Sequence, residues 1–170
     1  TEKLFQHVFR KTMNMELPAT FTRITYDDAL ELYGTDKPDL RFGMTMQDFG
    51  PYVAASGFQA FKDALSQGEA EQKRQAANGV VIQGGGVKAL VVPGKADYSR
   101  KQIEELEAAA KIYKAKGMAW MKVQTGADGK PVLEGGASKF FTENAAEVIS
   151  GLGANPGDLI LLVADAKRRI

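Results

Sequence analysis

The sequence predicts an α+β domain whose antiparallel or mixed sheet carries its helices on one face, preceded by a mainly helical strip. Three observations predict it. Residues 87–92 form a β-branched run stopped by Pro93 and Gly94, and a helix-capping pair, Ser99 and Gln102, follows at once. Gly126, Ala127, Asp128 and Gly129 supply turn chemistry between two short apolar runs, the signature of a hairpin. Residues 159–163 are apolar throughout, as in a strand covered on both faces and so central in its sheet.

In chain order, Leu4, Phe5, Val8, Phe9 and Met13 recur at helical spacing, while Glu2, Lys3, Gln6, Arg10 and Lys11 fill the other face. Such an amphipathic helix needs a body to pack on. A short extended stretch over 21–24 leads to Thr25, placed to cap a second helix with Asp28 in its first turn. Tyr26, Ala29, Leu30 and Tyr33 form its apolar stripe and Gly34 its left-handed end. Residues 35–41 are polar, and Pro38 disfavours helix at Lys37, so a fixed loop without a regular element is expected, with a boundary near Gly43. A short helix is expected over 47–56, with Pro51 in its first turns. The alternation of Phe58, Ala60 and Lys62 suggests a strand, and 66–79 reads as an exposed excursion, partly helical or mobile, poor in large apolar residues.

After the strand at 87–92, the box at Ser99 opens a helix with Ile103, Leu106, Ala110 and Tyr113 on one stripe and Gly117 as its close. A strand over 118–123 contains the only Trp, Trp120, and its hairpin partner spans 131–134. Thr142 is positioned to cap a helix that turns Ala145, Val148, Ile149 and Leu152 inward and ends at Gly153. From Phe58 onward the expected order is strand, strand, helix, strand, strand, helix, strand.

The 170 residues, 44% hydrophobic and 25% charged, are enough for one ordinary domain with an appendage and match a folded, water-soluble chain. A formal charge of +1 supplies no global field toward nucleic acid or membrane. The absence of Cys excludes disulfides, thiolate nucleophiles and Cys-based zinc sites and fits a cytoplasmic setting. No run approaches the roughly 18 apolar residues of a spanning helix, and residues 1–10 lack a signal-peptide layout. The ends at Thr1, without an initiator Met, and at Ile170, behind a charged segment, suggest an excised piece.

Each candidate chemical motif has a plain structural explanation. Gly84, Gly85 and Gly86 lack the Lys and Ser or Thr of a phosphate loop and precede a strand, so a loop or hairpin tip is expected. Asp27 and Asp28 diverge as neighbours on a helix and suit its first turn electrostatically. His7 has no second His or Cys to join it on a metal, and no Ser-His-Asp or Cys-His set can be assembled. Lys111, Lys114 and Lys116 around Tyr113, with Arg100 and Lys101 at the other end of the helix, read as a solvated basic face, with an RNA-facing role as the alternative. Lys167, Arg168 and Arg169 are equally ambiguous.

The run Tyr33, Gly34, Thr35, Asp36, Lys37, Pro38, Asp39, Leu40, Arg41 resembles a signature of bacterial-type aspartyl-tRNA synthetases. There it follows the second class-defining motif and precedes an inserted domain. The stretch from Phe21 through Tyr26, with Ala29 and Tyr33, is similar to the segment leading into it. Downstream, residues 87–94, Ser99 to Ile103 with Leu106, Ala115 to Trp120, and Gly157 to Ile160 are similar to successive blocks of that insertion, the GAD domain. Residues 67–86 are longer than the family pattern.

The resemblance implies a strip of class II catalytic domain over 1–45, a GAD-like insertion over 46–163 and a return toward the catalytic domain over 164–170. It implies a parent enzyme, cytoplasmic and homodimeric, that joins aspartate to tRNA through an ATP-derived adenylate with magnesium. The family's activating residues fall outside 1–170, so no catalytic, cofactor-binding or metal-binding residue is assigned. Asp36, Lys37, Asp39 and Arg41 are expected to form a structural loop. The alternative is a tRNA-binding or interaction module of the tRNA-dependent amidotransferase kind. An inserted domain leaves and rejoins its host at one place, so the boundary near Gly43 and the strand end near Ala164 are expected to lie close together.

Overall fold

The computed structural model describes residues 1–77 and 84–167. Helices α1 (Glu2–Met13) and α2 (Tyr26–Tyr33) come first. As the sequence predicts, the Thr25 hydroxyl accepts a hydrogen bond from the Asp28 amide, and Gly34 closes α2 at φ 71°. The loop beyond is not wholly irregular. Leu40–Phe42 is a 3-10 turn, because the Asp39 carboxylate accepts from the Arg41 amide at its start and Gly43, at φ 67°, provides its exit.

The remaining elements are β1 (Met46–Asp48), α3 (Gly50–Val53), α4 (Gln59–Ala77), β2 (Gly84–Val92), α5 (Arg100–Ile112), β3 (Ala119–Thr125), β4 (Pro131–Glu134), a 3-10 turn at Ser138–Phe140, α6 (Ala145–Gly151) and β5 (Leu159–Lys167). The strands form a single antiparallel sheet ordered β1-β2-β5-β3-β4. The last strand in sequence is thus the central one, as its apolar run predicts. Met46 and Leu161 both register with Leu90, so β1 and β5 flank β2, roughly 10 Å apart.

Several expectations are corrected by tertiary pairing. Ala60 and Lys62 belong to the first turn of α4, with Phe58 just ahead of it, and not to a strand, since Phe58, Phe61 and Leu65 meet the core at helical spacing. The excursion expected over 66–79 is helix as far as Ala77, and residues 78 and 79 lie outside the described ones. The helix expected over 47–56 is reduced to Gly50–Val53, because Gln47 pairs with Ala89 in β1. Gly84 and Gly86 are strand, opposite Lys167 and Asp165, where a loop or hairpin tip was expected. β5 correspondingly runs past Val163 to Lys167. α5 ends at Tyr113 and Lys114, the latter at φ 67°, before reaching Gly117. Thr142 does not cap α6. Its hydroxyl donates to the Lys139 carbonyl, and Asn144 occupies the cap position without a side-chain bond.

Alternation along the paired strands puts Val87, Ala89, Met121, Val123, Ile160 and Leu162 on one face, all buried. Against them lie Phe49 and Val53 at α3, Phe61 of α4, Phe141, and Val148, Ile149 and Leu152 around α6. Phe49 and Phe141 meet edge-on at 5.2 Å, and Phe58 stacks on Phe140 at 4.6 Å. Helices α3, α4 and α6 therefore share one face of the sheet. On the opposite face Lys88 pairs with Glu31 of α2, and the Lys122 ammonium donates to the Tyr98 carbonyl just ahead of α5.

One buried carboxylate ties two ends of the sheet together. Asp158, 8% exposed, accepts 2.9 Å hydrogen bonds from the amides of Gly94 and Asn155, fixing the turn after β2 against the start of β5. Asp158→Ala strands both donors and is expected to lower the unfolding free energy by about 2 kcal/mol or more. Asp158→Asn, which keeps one acceptor oxygen, should lose less. Urea midpoints that do not separate the two variants from each other and from the parent would contradict this role.

Candidate functional site

The loop between α2 and β1 is strongly polar. Lys37 donates to Asp36 at 2.8 Å, and the Arg41 guanidinium grips Asp39, with its Nε 2.8 Å from one carboxylate oxygen. The Lys37 amide also donates to Thr35, so successive side chains brace the backbone around Pro38. The hydrogen bond from Lys37 holds Asp36 below the usual carboxylate range, and that from Arg41 does the same for Asp39. A depressed carboxylate stabilises the fold above its unfolded pKa, and the stabilisation is lost as pH falls through the folded value. Solvent screening keeps these exposed contributions small. The four charges satisfy one another in pairs, the behaviour expected of a structural loop.

The basic helix end is laid out differently. Lys111 pairs with Glu107 at 2.8 Å and Arg100 with Glu104 at 2.9 Å, one helical turn apart in each case. Tyr113, 83% exposed, stands beyond them with Lys114. His7 is exposed on α1, away from any cluster. Asp28 both donates its amide to Thr25 and accepts from the Thr25 hydroxyl. Among the described residues no group of three or more His, Cys, Asp or Glu side chains could hold a metal ion. Among the same residues no helix is long and apolar enough to cross a membrane. Arg168 and Arg169 lie outside the described residues.

Sequence reasoning missed a cleft of about 480 Å³ beside β5. β3 pairs with β5 only as far as Ala119 opposite Leu162, and the residues before it, 116–118, are not strand. The gap is floored by Phe58, Phe61 and Ala64 and edged by Asp63, Glu107 and Lys116. No local signal could have revealed it, because it is assembled from segments far apart in sequence.

An antiparallel sheet with α3, α4 and α6 over its core face, entered through a short charged loop, defines the class as an α+β module. Residues 77–170 match the family model described as the GAD domain, and the chain belongs to that family. It is 55% identical, over 97% of its own length and 25% of the relative's, to an Aspartate–tRNA(Asp/Asn) ligase of Treponema denticola. It is 39% identical over 98% of its length, and 24% of the relative's, to the protein of the same name from Moorella thermoacetica. It is 37% identical over 96%, and 24% of the relative's, to an Aspartate–tRNA ligase of Clostridium perfringens. The chain spans about a quarter of the length of the curated relatives it matches.

Proposed function

We propose that this chain is part of an aspartate–tRNA ligase. Residues 1–45 form a strip of its class II catalytic domain, 46–163 the inserted GAD-like domain, and 164–170 the return toward the catalytic domain. The whole enzyme attaches aspartate to tRNA through an aspartyl-adenylate made from ATP with magnesium, as a cytoplasmic homodimer. This piece contributes no catalytic, cofactor-binding or metal-binding residue and sits near the tRNA acceptor end.

One observation carries the reading: the 55% identity to a ligase extends through 97% of the chain, strip and domain together. The amidotransferase-type module is disfavoured, because the relatives matched along the strip as well as the domain are ligases. Packing supports the division. Within the strip only Ala29 and Leu30 are buried among the described residues, while Leu4, Phe5, Val8 and Met13 leave the apolar stripe of α1 exposed. A stripe of that kind suits a helix that completes a larger body.

Aspartate-dependent pyrophosphate exchange tests the reading. The 170-residue chain is expected to exchange no faster than a protein-free control, and the longer polypeptide bearing it to exchange and to charge tRNA with aspartate. Exchange by the 170-residue chain alone, or a longer polypeptide unable to charge tRNA, would overturn it.

A further inference from the structure

Beyond any role in tRNA charging, the free edge of β5 has the makings of a binding site. We propose that the cleft between α4 and residues 116–119 receives an extended, basic segment of a partner protein, which adds as a strand to the edge of β5.

The register supplies the first argument. The Val123 amide donates to the Asp158 carbonyl and the Gly157 amide to the Val123 carbonyl, so Val123, Met121 and Ala119 turn their backbone groups toward β5. Their counterparts on β5 are Ile160 and Leu162. By the alternation of an antiparallel ladder, the next residue of that set is Ala164, whose N–H and C=O point away from β2 and into the cleft. The other side of the ladder agrees: Val87, opposite Ala164, gives its carbonyl to the Phe49 amide on the β1 side. With β3 ended at Ala119, no strand among the described residues pairs with Ala164 on that edge, and strand addition is the recurrent use of such an edge.

Chemistry selects the occupant. Ala164 shares a sheet face with Leu162, so a residue added beside it would project toward α4, over Phe58, Phe61 and Ala64. The charged residues that line the cleft are Asp63, Glu107, Asp165 and Lys116, and the Asp165 side chain leaves the opposite face of β5 from Ala164. Asp165 is already engaged. Asp63 accepts one hydrogen bond from Gln59 and Glu107 one ion pair from Lys111, and each carboxylate keeps further acceptor positions. A Lys or Arg can lay its stem on the apolar residues of α4 and bring its charged head to Asp63. The same carboxylates repel a nucleic-acid backbone and an acidic peptide.

The test is a titration of the isotopically labelled full chain, followed by amide chemical shifts. Three capped seven-residue peptides of alternating Thr and Val serve as probes: one with a central Arg, one with a central Glu, and the Arg peptide N-methylated beside its centre. The Arg peptide is expected to give saturable shifts at Ala164, Gly117 and Ala119, with the other two at least about tenfold weaker. Asp63→Lys, an exposed change that leaves the core untouched, should weaken the Arg peptide by a similar factor while the other sheet amides keep their positions. Equal binding by all three peptides, no saturable shift with the Arg peptide, or the same shifts appearing on concentrating the protein alone would overturn the proposal, the last because a second copy would then occupy the edge.

Discussion

Gly136→Ala is expected to lower the unfolding free energy by about 3 kcal/mol or more, a substantial fraction of the about 5–15 kcal/mol that holds a domain folded. The chain leaving β4 doubles back under Trp120, and its backbone comes so close that the Ala137 amide bonds to the Trp120 carbonyl at 2.9 Å. A Cβ at Gly136 would stand 2.0 Å from that carbonyl oxygen and 2.9 Å from the indole ring. The atom met first is backbone, so relief requires β3 itself to move and the Ala137 bond to break. The φ of +49° adds left-handed strain of about 1 kcal/mol. Gly129→Ala is the matched control: its φ is +77° but a Cβ there meets nothing within 4 Å, so strain alone should be lost. Urea unfolding followed by fluorescence of the single Trp120 measures both. Equal losses in the two variants would refute the steric account.

The second large effect is expected for Phe141→Ala, at about 3–5 kcal/mol. Phe141 is 0% exposed and lies edge-on to Phe49, itself fully buried, between the sheet and the helical layer. Truncation removes a ring from a space bounded by a rigid sheet, which cannot collapse to refill it. Phe42→Ala, at a ring 71% exposed, should change stability by no more than about 0.5 kcal/mol. If the two substitutions shift the urea midpoint alike, the core has been placed wrongly.

These two positions also mark the limits of the sequence reading. What was legible was local chemistry: the Ser99 capping box is present in both directions, Thr25 and Gly34 bound α2, and the turn at 126–129 joins β3 to β4. The apolar run at 159–163 correctly announced a central strand, since only a strand covered on both sides can omit polar residues. What failed was decided at long range. Phe58, Ala60 and Lys62 fit two periods, and only the sheet beneath Phe61 selects the helix. The glycines at 84–86 carry turn statistics, yet β5, more than 75 residues later, supplies their ladder partners. Phe141 and the glycine pair at 135–136 carry no local signature, because a tight approach is a relation between two segments and sequence shows one at a time. The charged loop at 36–41 was recognisable from residue identities, whereas the cleft beside β5 exists only once α4, β3 and β5 have met.

The strand order has a consequence for how this domain comes into being. β2 and β3 never touch as partners, and each is joined to the sheet's other half solely through β5. Until β5 has been made, β1 with β2 and β3 with β4 can pair only as two separate half-sheets, each with an open edge. The domain therefore closes on the last of its strands. Closure is a single late event spanning most of the chain, which makes folding slow for a domain this size and concentrates the danger of aggregation in the moments before residues 159–167 arrive.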